Sequence, residues 1–558
     1  MSEKNYVLGL DYGTNSVRCL IVEALSSREI ASAVSEYQHG DQGIILDPNN
    51  PDLARQHPED YLTGAAESIQ QALSIASDSS KEFSPNLIAG MGIDATGSTP
   101  MPVDTEGQTL AANPKFANNP AAMAWLWKDH TSSQEARELT EAAKIEKPEY
   151  LEKCGGTYSS EWFWSKLWHC IKTDPEVIQA AHSWIEISDW IPAVFTGNCE
   201  NPVRNICAAG HKALYHEDWN GYPDTQFLAA RHPELSRIRS SLDKSQVQSI
   251  QSPAGLLSEE WATQLGLRKG IPVATGALDA HMGAVGSGIC TGTMVKIMGT
   301  STCDIIVAPL NQKVPFIPGL CGMVSESVLP GHHGLEAGQS AVGDLFGWWV
   351  DTILKNTNHT HSSLTKQSEQ LKPGESGLLA LDWNNGNRCL LCDPQLTGLI
   401  LGQTLQTKPE EIYRALMEAT AFGARMILEQ MSHHGVQVDK VIACGGLAVK
   451  NPMLMQIYAD VTRCEIYVSD STQACALGST VAASVVSGIY PDIPTAQQHM
   501  ISSPSTVRKP DLQAAEIYDS LFSLYKKLHD SFGKPSNHPV HLADVMKELL
   551  NIRQTARS

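Results

Sequence analysis

The chain opens on a short apolar run, YVLGLDYG, then a polar turn, then a second apolar run, VRCLIVEAL. That pattern predicts a β-hairpin with Gly-Thr-Asn at its tip. Near residue 295 the pattern recurs as MVKIMGT, a turn at Ser301 and Thr302, and CDIIVAPL. Gly13-Thr14 and Gly299-Thr300 occupy matching places in the two units, which predicts a duplicated fold. A second pair agrees with it: LIAGMGIDATGSTPMPVD and KVIACGGLAVKNPMLMQIYAD are both apolar strands ending in small residues. In the later copy Asn451-Pro452 marks the start of a helix. Apolar positions three and four apart predict helices over PEDYLTGAAESIQQALSIAS and over KPEEIYRALMEATAFGARMILEQMSHHG, the latter closing at Gly435. AAEIYDSLFSLYKKLHDSF predicts a terminal amphipathic helix. Strands mixed with helices in both halves predict an α/β protein of two domains. Pro and Gly punctuation over residues 250–275 puts the boundary near 270, dividing 1–270 from 271–558.

Composition narrows the function classes. At 558 residues the chain is too long for one ordinary core, and 42% hydrophobic with 18% charged residues is a globular balance. The net charge of −20 argues against a nucleic-acid binder, which needs a basic face for phosphates. The N-terminus reads neither as a secretory leader nor as a membrane span, and no apolar run elsewhere is long enough to cross a bilayer. The thirteen cysteines are scattered and mostly set in apolar segments, the usage of a reduced, cytoplasmic protein. Cys389 and Cys392 form one CxxC with no second pair nearby.

The chemistry-bearing residues sit in the turns. In Asp11-Tyr12-Gly13-Thr14-Asn15-Ser16 the glycine lets backbone approach phosphate oxygens, and Thr14 with the turn N–H groups can donate to them. Asp11 ends its strand where it can hold Mg²⁺ through water. Alone, the same residues read more readily as an ordinary hairpin turn with a solvated Asp. The Gly299-Thr300-Ser301 turn strengthens the functional reading, because a nucleotide held between two domains needs donors from both sides. Ile297 stands where Asp11 does, so one copy alone carries the carboxylate, as one metal requires. Cys444-Gly445-Gly446 closes a strand without side chains, leaving room for an adenine or ribose. Asp279, in ATGALDAHMG, starts a Gly/Ala-rich helix at the domain boundary. It is a candidate base for phosphoryl transfer to a hydroxyl, or simply an acidic residue at a helix N-terminus. His281 reads as structural. Gly90-Met91-Gly92 is a fragment of a dinucleotide fingerprint without its βαβ context. P-loop, H-R-D, D-F-G, H-E-x-x-H and G-x-S-x-G motifs are absent.

Taken in order, DYGTNSVR, GALDAHMGAVGSG, MGTSTCDIIV and ACGGLAVKNPMLMQIYADV resemble the FGGY carbohydrate kinase family of the actin/Hsp70/sugar-kinase superfamily, over nearly the whole chain. The resemblance implies two RNase-H-like domains flanking a deep cleft, with the sugar mainly on the N-terminal domain and ATP mainly on the C-terminal one. It implies that Asp279 is the catalytic base and Asp11 the Mg²⁺-associated carboxylate. Gly13, Thr14, Gly299, Thr300 and Ser301 would hold phosphate, and Gly445, Gly446 and Asn451 the adenosine side. Within the family, the LWKDH form at Leu126–His130, Lys212 in CAAGHKALYH and Glu336 in GLEAGQSAVGDLFGWW resemble bacterial L-ribulokinases. Thr96, Gly97, Trp127, Lys212, Asp279 and Glu336 would then line the sugar site. Trp125, Trp162, Trp164 and Trp168 read as core or cleft wall. The implied reaction is ATP- and Mg²⁺-dependent phosphorylation of L-ribulose in cytoplasmic L-arabinose catabolism, with a homodimer allowed and no nucleic-acid or membrane partner. Two rivals stay open: another ketopentose or pentitol (D-ribulose, xylulose, ribitol), and a non-catalytic actin/Hsp70-type nucleotide switch.

Overall fold

The structure, a computed structural model, describes residues 5–534 and 542–557. Two large mixed sheets organise it. In the first, Tyr6–Tyr12 forms an antiparallel hairpin with Ser16–Glu23, which pairs in turn with Arg28–Glu36. On its other side Tyr6–Tyr12 runs parallel to Ile88–Ala95, beyond which lie Pro272–Ala274 and Pro253–Leu256. The second sheet repeats that plan. Thr293–Met298 and Thr302–Pro309 form the hairpin, His332–Ala337 and Gly322–Ser325 extend one side, and Lys440–Cys444 and Glu465–Val468 run parallel on the other. The repeated MGT and DYGT turns therefore cap equivalent hairpins, as the sequence pattern predicts.

Alternation along Tyr6–Tyr12 assigns its two faces. Leu8, Leu10 and Tyr12 pack with Tyr61 and Ile69 of the helix Pro58–Ser79. Val7 lies on the opposite face, in a core with Ala476 and Val481 of the helix Ala474–Val486. The strand glycines explain how close that helix comes. A Cβ at Gly9, Gly90 or Gly92 would overlap the carbonyls of Ala476, Ala483 or Ser479. The GMG pair is thus a groove for a helix and not part of a nucleotide fingerprint.

The same core contains Val295, Ile305 and Ile442 of the second sheet, so it is shared by both sheets. Two short-side-chain helices cross inside it: Asp279–Gly286 meets Ala474–Val486, with Gly286 against the Ala474 carbonyl and Gly478 against that of Met282. The outer face of the second sheet is covered by Pro409–His433, Pro452–Thr462 and Leu512–Gly533, the first and last expected from apolar spacing and the second from its Asn451-Pro452 start. Gly435, at φ +81°, follows the first of these in the left-handed conformation that ends a helix.

Residues 110–242 build a separate, aromatic-rich core beside the first sheet, holding Trp125, Trp162, Trp164, Trp168 and Trp184. All five are buried, which for Trp125, Trp162, Trp164 and Trp168 is the expected packing role. No helix among the described residues is long and apolar enough to cross a membrane.

Candidate functional site

The first turn is held from four directions. Gly13 N–H donates to the Ser16 carbonyl (2.9 Å) and Tyr37 N–H to the Asn15 carbonyl (3.0 Å). Gln56 Nε2 donates to the Thr14 carbonyl (2.7 Å) and Asn15 Nδ2 to the Gln42 carbonyl (2.7 Å). Trp127, half-buried, donates its indole N–H to Thr14 Oγ1 (3.1 Å), tying a residue expected at the sugar to one expected at phosphate. The second turn has its own brace. Gly299 N–H donates to the Ser301 carbonyl (3.0 Å), and the N–H groups of Val342 and Asp344 donate to the Thr300 carbonyl (2.8 and 3.1 Å). Gly299 and Thr300 are exposed; both backbone groups of Gly299 are engaged, its carbonyl accepting Gly343 N–H (3.1 Å), so it is the Thr300 N–H and hydroxyl that can meet a ligand.

Gly445 sits directly against this turn. Its φ of +93° favours glycine, and a Cβ there would lie 2.5 Å from the Met298 carbonyl, whereas one at Gly446 would meet open space. Asn451 is buried and accepts from Leu454 N–H (3.0 Å), capping the following helix. Its own N–H donates to the Leu447 carbonyl (3.1 Å), closing the short helix Gly446–Lys450 that follows Gly445.

Asp11 and Asp94 face each other in direct parallel register, and Arg18 sits across the hairpin from Asp11, at 3.5 Å. One oxygen from each of Asp11 and Asp94 and the Cys475 sulfur lie within 4.8 Å of one another. Burial raises the pKa of both carboxyls, that of Asp94 far more, because the Asp11 charge adds to the burial. Of the two, Asp94 is the one more strongly disfavoured as an anion. Ser479 Oγ donates to its Oδ2 (2.6 Å), while Oδ1 is buried without a hydrogen-bond partner. Asp94 was not singled out from sequence. The signal was present in Gly9-Leu10-Asp11 and Gly92-Ile93-Asp94, two Gly-apolar-Asp strands that align when paired.

Asp279 opens its helix between the two sheets, with part of its surface open to the cleft, and accepts the Ala280 N–H (2.7 Å). Burial, then the Asp11 charge, pushes its carboxyl up to about 7. Nearby, Lys212 Nζ donates to both oxygens of Glu336 (3.0 Å each), a buried pair joining a helix of the first half to the second sheet. The pair holds the Glu336 carboxyl well below its usual range despite burial. His211 and His281 pack beside it with their rings tilted by 52°, 4.6 Å between centroids, with His211 Nδ1 3.5 Å and His281 Nε2 3.8 Å from Glu336. Burial keeps both imidazoles neutral, and neither ring nitrogen of His281 has a hydrogen-bond partner. Thr96 and Gly97 follow the Asp94 strand. Thr96 N–H donates to the Tyr12 carbonyl (3.0 Å), and Gly97 packs so tightly on Leu278, the residue before Asp279, that a Cβ would overlap that side chain.

The structure thus brings Asp11, Thr14, Thr96, Gly97, Trp127, Lys212, Asp279 and Glu336 to one region, with the 299–301 turn and Gly445 forming a second. The CxxC behaves differently. Cys389 Sγ lies 3.0 Å from Cys321 Sγ and accepts the Gly338 N–H (3.0 Å), and all thirteen cysteines are free thiols.

An acidic residue at about 7 beside a buried Lys–Glu pair can take a proton from a hydroxyl held there. Two braced Gly-Thr turns can donate to phosphate oxygens. Comparison with known proteins agrees. Residues 6–286 match the N-terminal domain, and residues 294–487 the C-terminal domain, of the FGGY family of carbohydrate kinases. A ribulokinase of Shouchella clausii is 41% identical over 99% of this chain and 99% of its own. One of Geobacillus thermodenitrificans is 40% identical over 100% and 98%. Among solved structures, a ligand-bound xylulose kinase from Lactobacillus acidophilus superposes with a TM-score of 0.77 at 17% identity, over 95% of this chain and 100% of that one. A xylulose kinase from Rhodospirillum rubrum gives 0.75 at 20%, over 94% and 98%. These two likenesses concern the fold, two α/β domains of the sugar-kinase type.

Proposed function

The chain belongs to the FGGY family of carbohydrate kinases, and from that premise we propose that it phosphorylates L-ribulose with ATP to give L-ribulose 5-phosphate. The observation that carries the chemistry is Asp279: a carboxyl raised to about 7, open to the cleft, beside Asp11 and the Lys212–Glu336 pair. Ionised Asp279 accepts the proton of the terminal sugar hydroxyl as its oxygen bonds to the γ-phosphorus and the bond to the ADP oxygen breaks. Lys212 and Glu336 present a donor and an acceptor to the sugar hydroxyls, and Trp127 closes the site towards Thr14. The turns at 13–14 and 299–301 offer N–H and hydroxyl donors to the phosphates, with Gly445 and Gly446 leaving room for the nucleoside and Asn451 supporting their loop.

Asp11 would hold Mg²⁺, and the buried, unpartnered Asp94 oxygen beside it fits a site built for a cation and its water. Bound there, Mg²⁺ neutralises phosphate charge. The division of labour, sugar mainly on 1–270 and ATP mainly on 271–558, belongs to the same proposal, as does a cytoplasmic role in L-arabinose use.

The test is coupled ADP release from MgATP across ketopentoses and pentitols. L-Ribulose should give the highest kcat/KM. A clear preference for xylulose, D-ribulose or ribitol would overturn the substrate, and no stimulation by any of them would overturn the kinase reading.

A further inference from the structure

The 97–99 loop and the 125–127 segment carry or adjoin the residues placed at the sugar; the first lies outside any regular element, and the second runs out of the two-residue strand Ala124–Trp125, which pairs with Arg55 and Gln56. What joins the two to each other is a single fully buried ammonium. Lys166, on the helix Phe163–Thr173, donates to the carbonyls of Ser98 (2.8 Å), Leu126 (2.9 Å) and Trp125 (3.2 Å). An ammonium has three donors, and here all three are spent on backbone carbonyls of these two loops. Its counter-charge is also attached to the first loop. Glu186, at the end of the buried strand Ser183–Glu186, accepts from Ser98 Oγ and from Thr99 N–H (2.7 Å). The next residue, Ile187, donates its N–H to the Thr99 carbonyl (3.2 Å).

The clamp's reach is short in space. Gly97, one residue before the clamped Ser98, packs on Leu278 and so on the turn that presents Asp279. Trp127, one residue after the clamped Leu126, donates to Thr14 Oγ1. A buried lysine and glutamate isolated from function would be replaceable by apolar residues at little cost, or at a gain. Here each charge ends on a loop at the proposed site.

We propose that Lys166 and Glu186 are positioning residues, which lock the 97–99 and 125–127 loops together and so set the geometry of the sugar subsite against Asp279. Neither residue touches substrate. The inference rests on the sugar-kinase reading above, and on no particular sugar.

The experiment compares steady-state kinetics of wild type, Lys166→Met, Glu186→Gln and the double variant, on whichever acceptor the wild type uses best. The sugar is varied at saturating MgATP, and ATP at saturating sugar. The expected result is a rise in sugar KM on the order of 10- to 100-fold in Lys166→Met, the scale at which small misplacements act, with ATP KM within about twofold. Glu186→Gln, which keeps an acceptor for Thr99 N–H, should show the same split to a smaller degree. Unchanged constants, or kcat and both KM values worsening together, would overturn the proposal by assigning the pair to general stability. If Lys166→Met does not fold, Glu186→Gln decides alone, supporting the clamp with a raised sugar KM and overturning it with a normal one. Failure of both to fold also overturns it. A wild type that prefers another sugar defeats the L-ribulose reading and leaves the clamp testable. A wild type that uses none defeats the kinase reading, and the clamp falls with it.

Discussion

Replacing Asp279 by Asn should weaken the enzyme and strengthen the fold, and the two effects share one cause. The Asp279 carboxyl stands at about 7 against an ordinary value of 3.8, first through burial and second through the Asp11 charge. A raised carboxyl favours the folded state when protonated. That stability is fully present below about 3.8 and is lost as pH rises through about 7, where the folded protein must ionise a group it holds away from water. A shift of that size corresponds to about 4 kcal/mol at most, and because Asp279 keeps some exposure to the cleft we take roughly 1–2 kcal/mol as usable. Asn carries no charge, so Asp279→Asn should gain Tm over the wild type at pH 8.5, by a few degrees at most, and lose the advantage at pH 4. Turnover should fall by roughly two to four decades above pH 7, where wild-type Asp279 is ionised, the usual worth of a general base, and the gap should narrow below it. In the wild type, kcat/KM for the sugar should drop about tenfold per unit below pH 7, as Asp279 takes up a proton. Differential scanning fluorimetry across pH, paired with coupled ADP release, reads both. Near-normal turnover in Asp279→Asn would remove it as the base. A Tm difference independent of pH would refute the burial argument.

Three further outcomes follow from particular contacts. Lys212→Met leaves Glu336 buried without its cation, so it should destabilise by about 3–5 kcal/mol and abolish sugar-stimulated ADP release. Adding Glu336→Leu should restore Tm but not activity, and recovery of activity would show that the pair does not hold the sugar. Trp127→Phe removes the indole donor to Thr14 Oγ1, worth about 0.5–1.5 kcal/mol, so kcat/KM for ATP should fall about 2- to 10-fold. Unchanged ATP kinetics would mean that the contact does not brace the turn. Gly92→Ala drives a methyl into the Ser479 carbonyl and should cost about 1–3 kcal/mol or more, read as a lower urea midpoint. A wild-type midpoint would contradict the close helix approach.

The local features of this fold were legible in the chain. A hairpin announces itself by two apolar runs around a glycine turn, and a helix by spacing and caps, so both Gly-Thr turns and the long helices could be read directly. Asp279 stood out because small residues surround it at a boundary between patterns. The sequence alone also determined an asymmetry: one turn has a carboxylate before it and the other has Ile297.

What depended on distant segments was not legible. Asp94 becomes a partner of Asp11 only when two strands separated by a long excursion pair in parallel register. Gly90 and Gly92 looked like a fragment of a nucleotide motif, and their purpose appears only with the helix from residues 474–486 laid on them. Cys389 suggested Cys392 by spacing, yet the fold sets its sulfur against Cys321. Lys166 resembles any helix lysine until three carbonyls from two other segments surround it. Turns and helices are held by bonds between near neighbours, so their residues declare them. Parallel pairing, shared cores and buried charges join residues far apart in the chain, and only the assembled tertiary structure decides them.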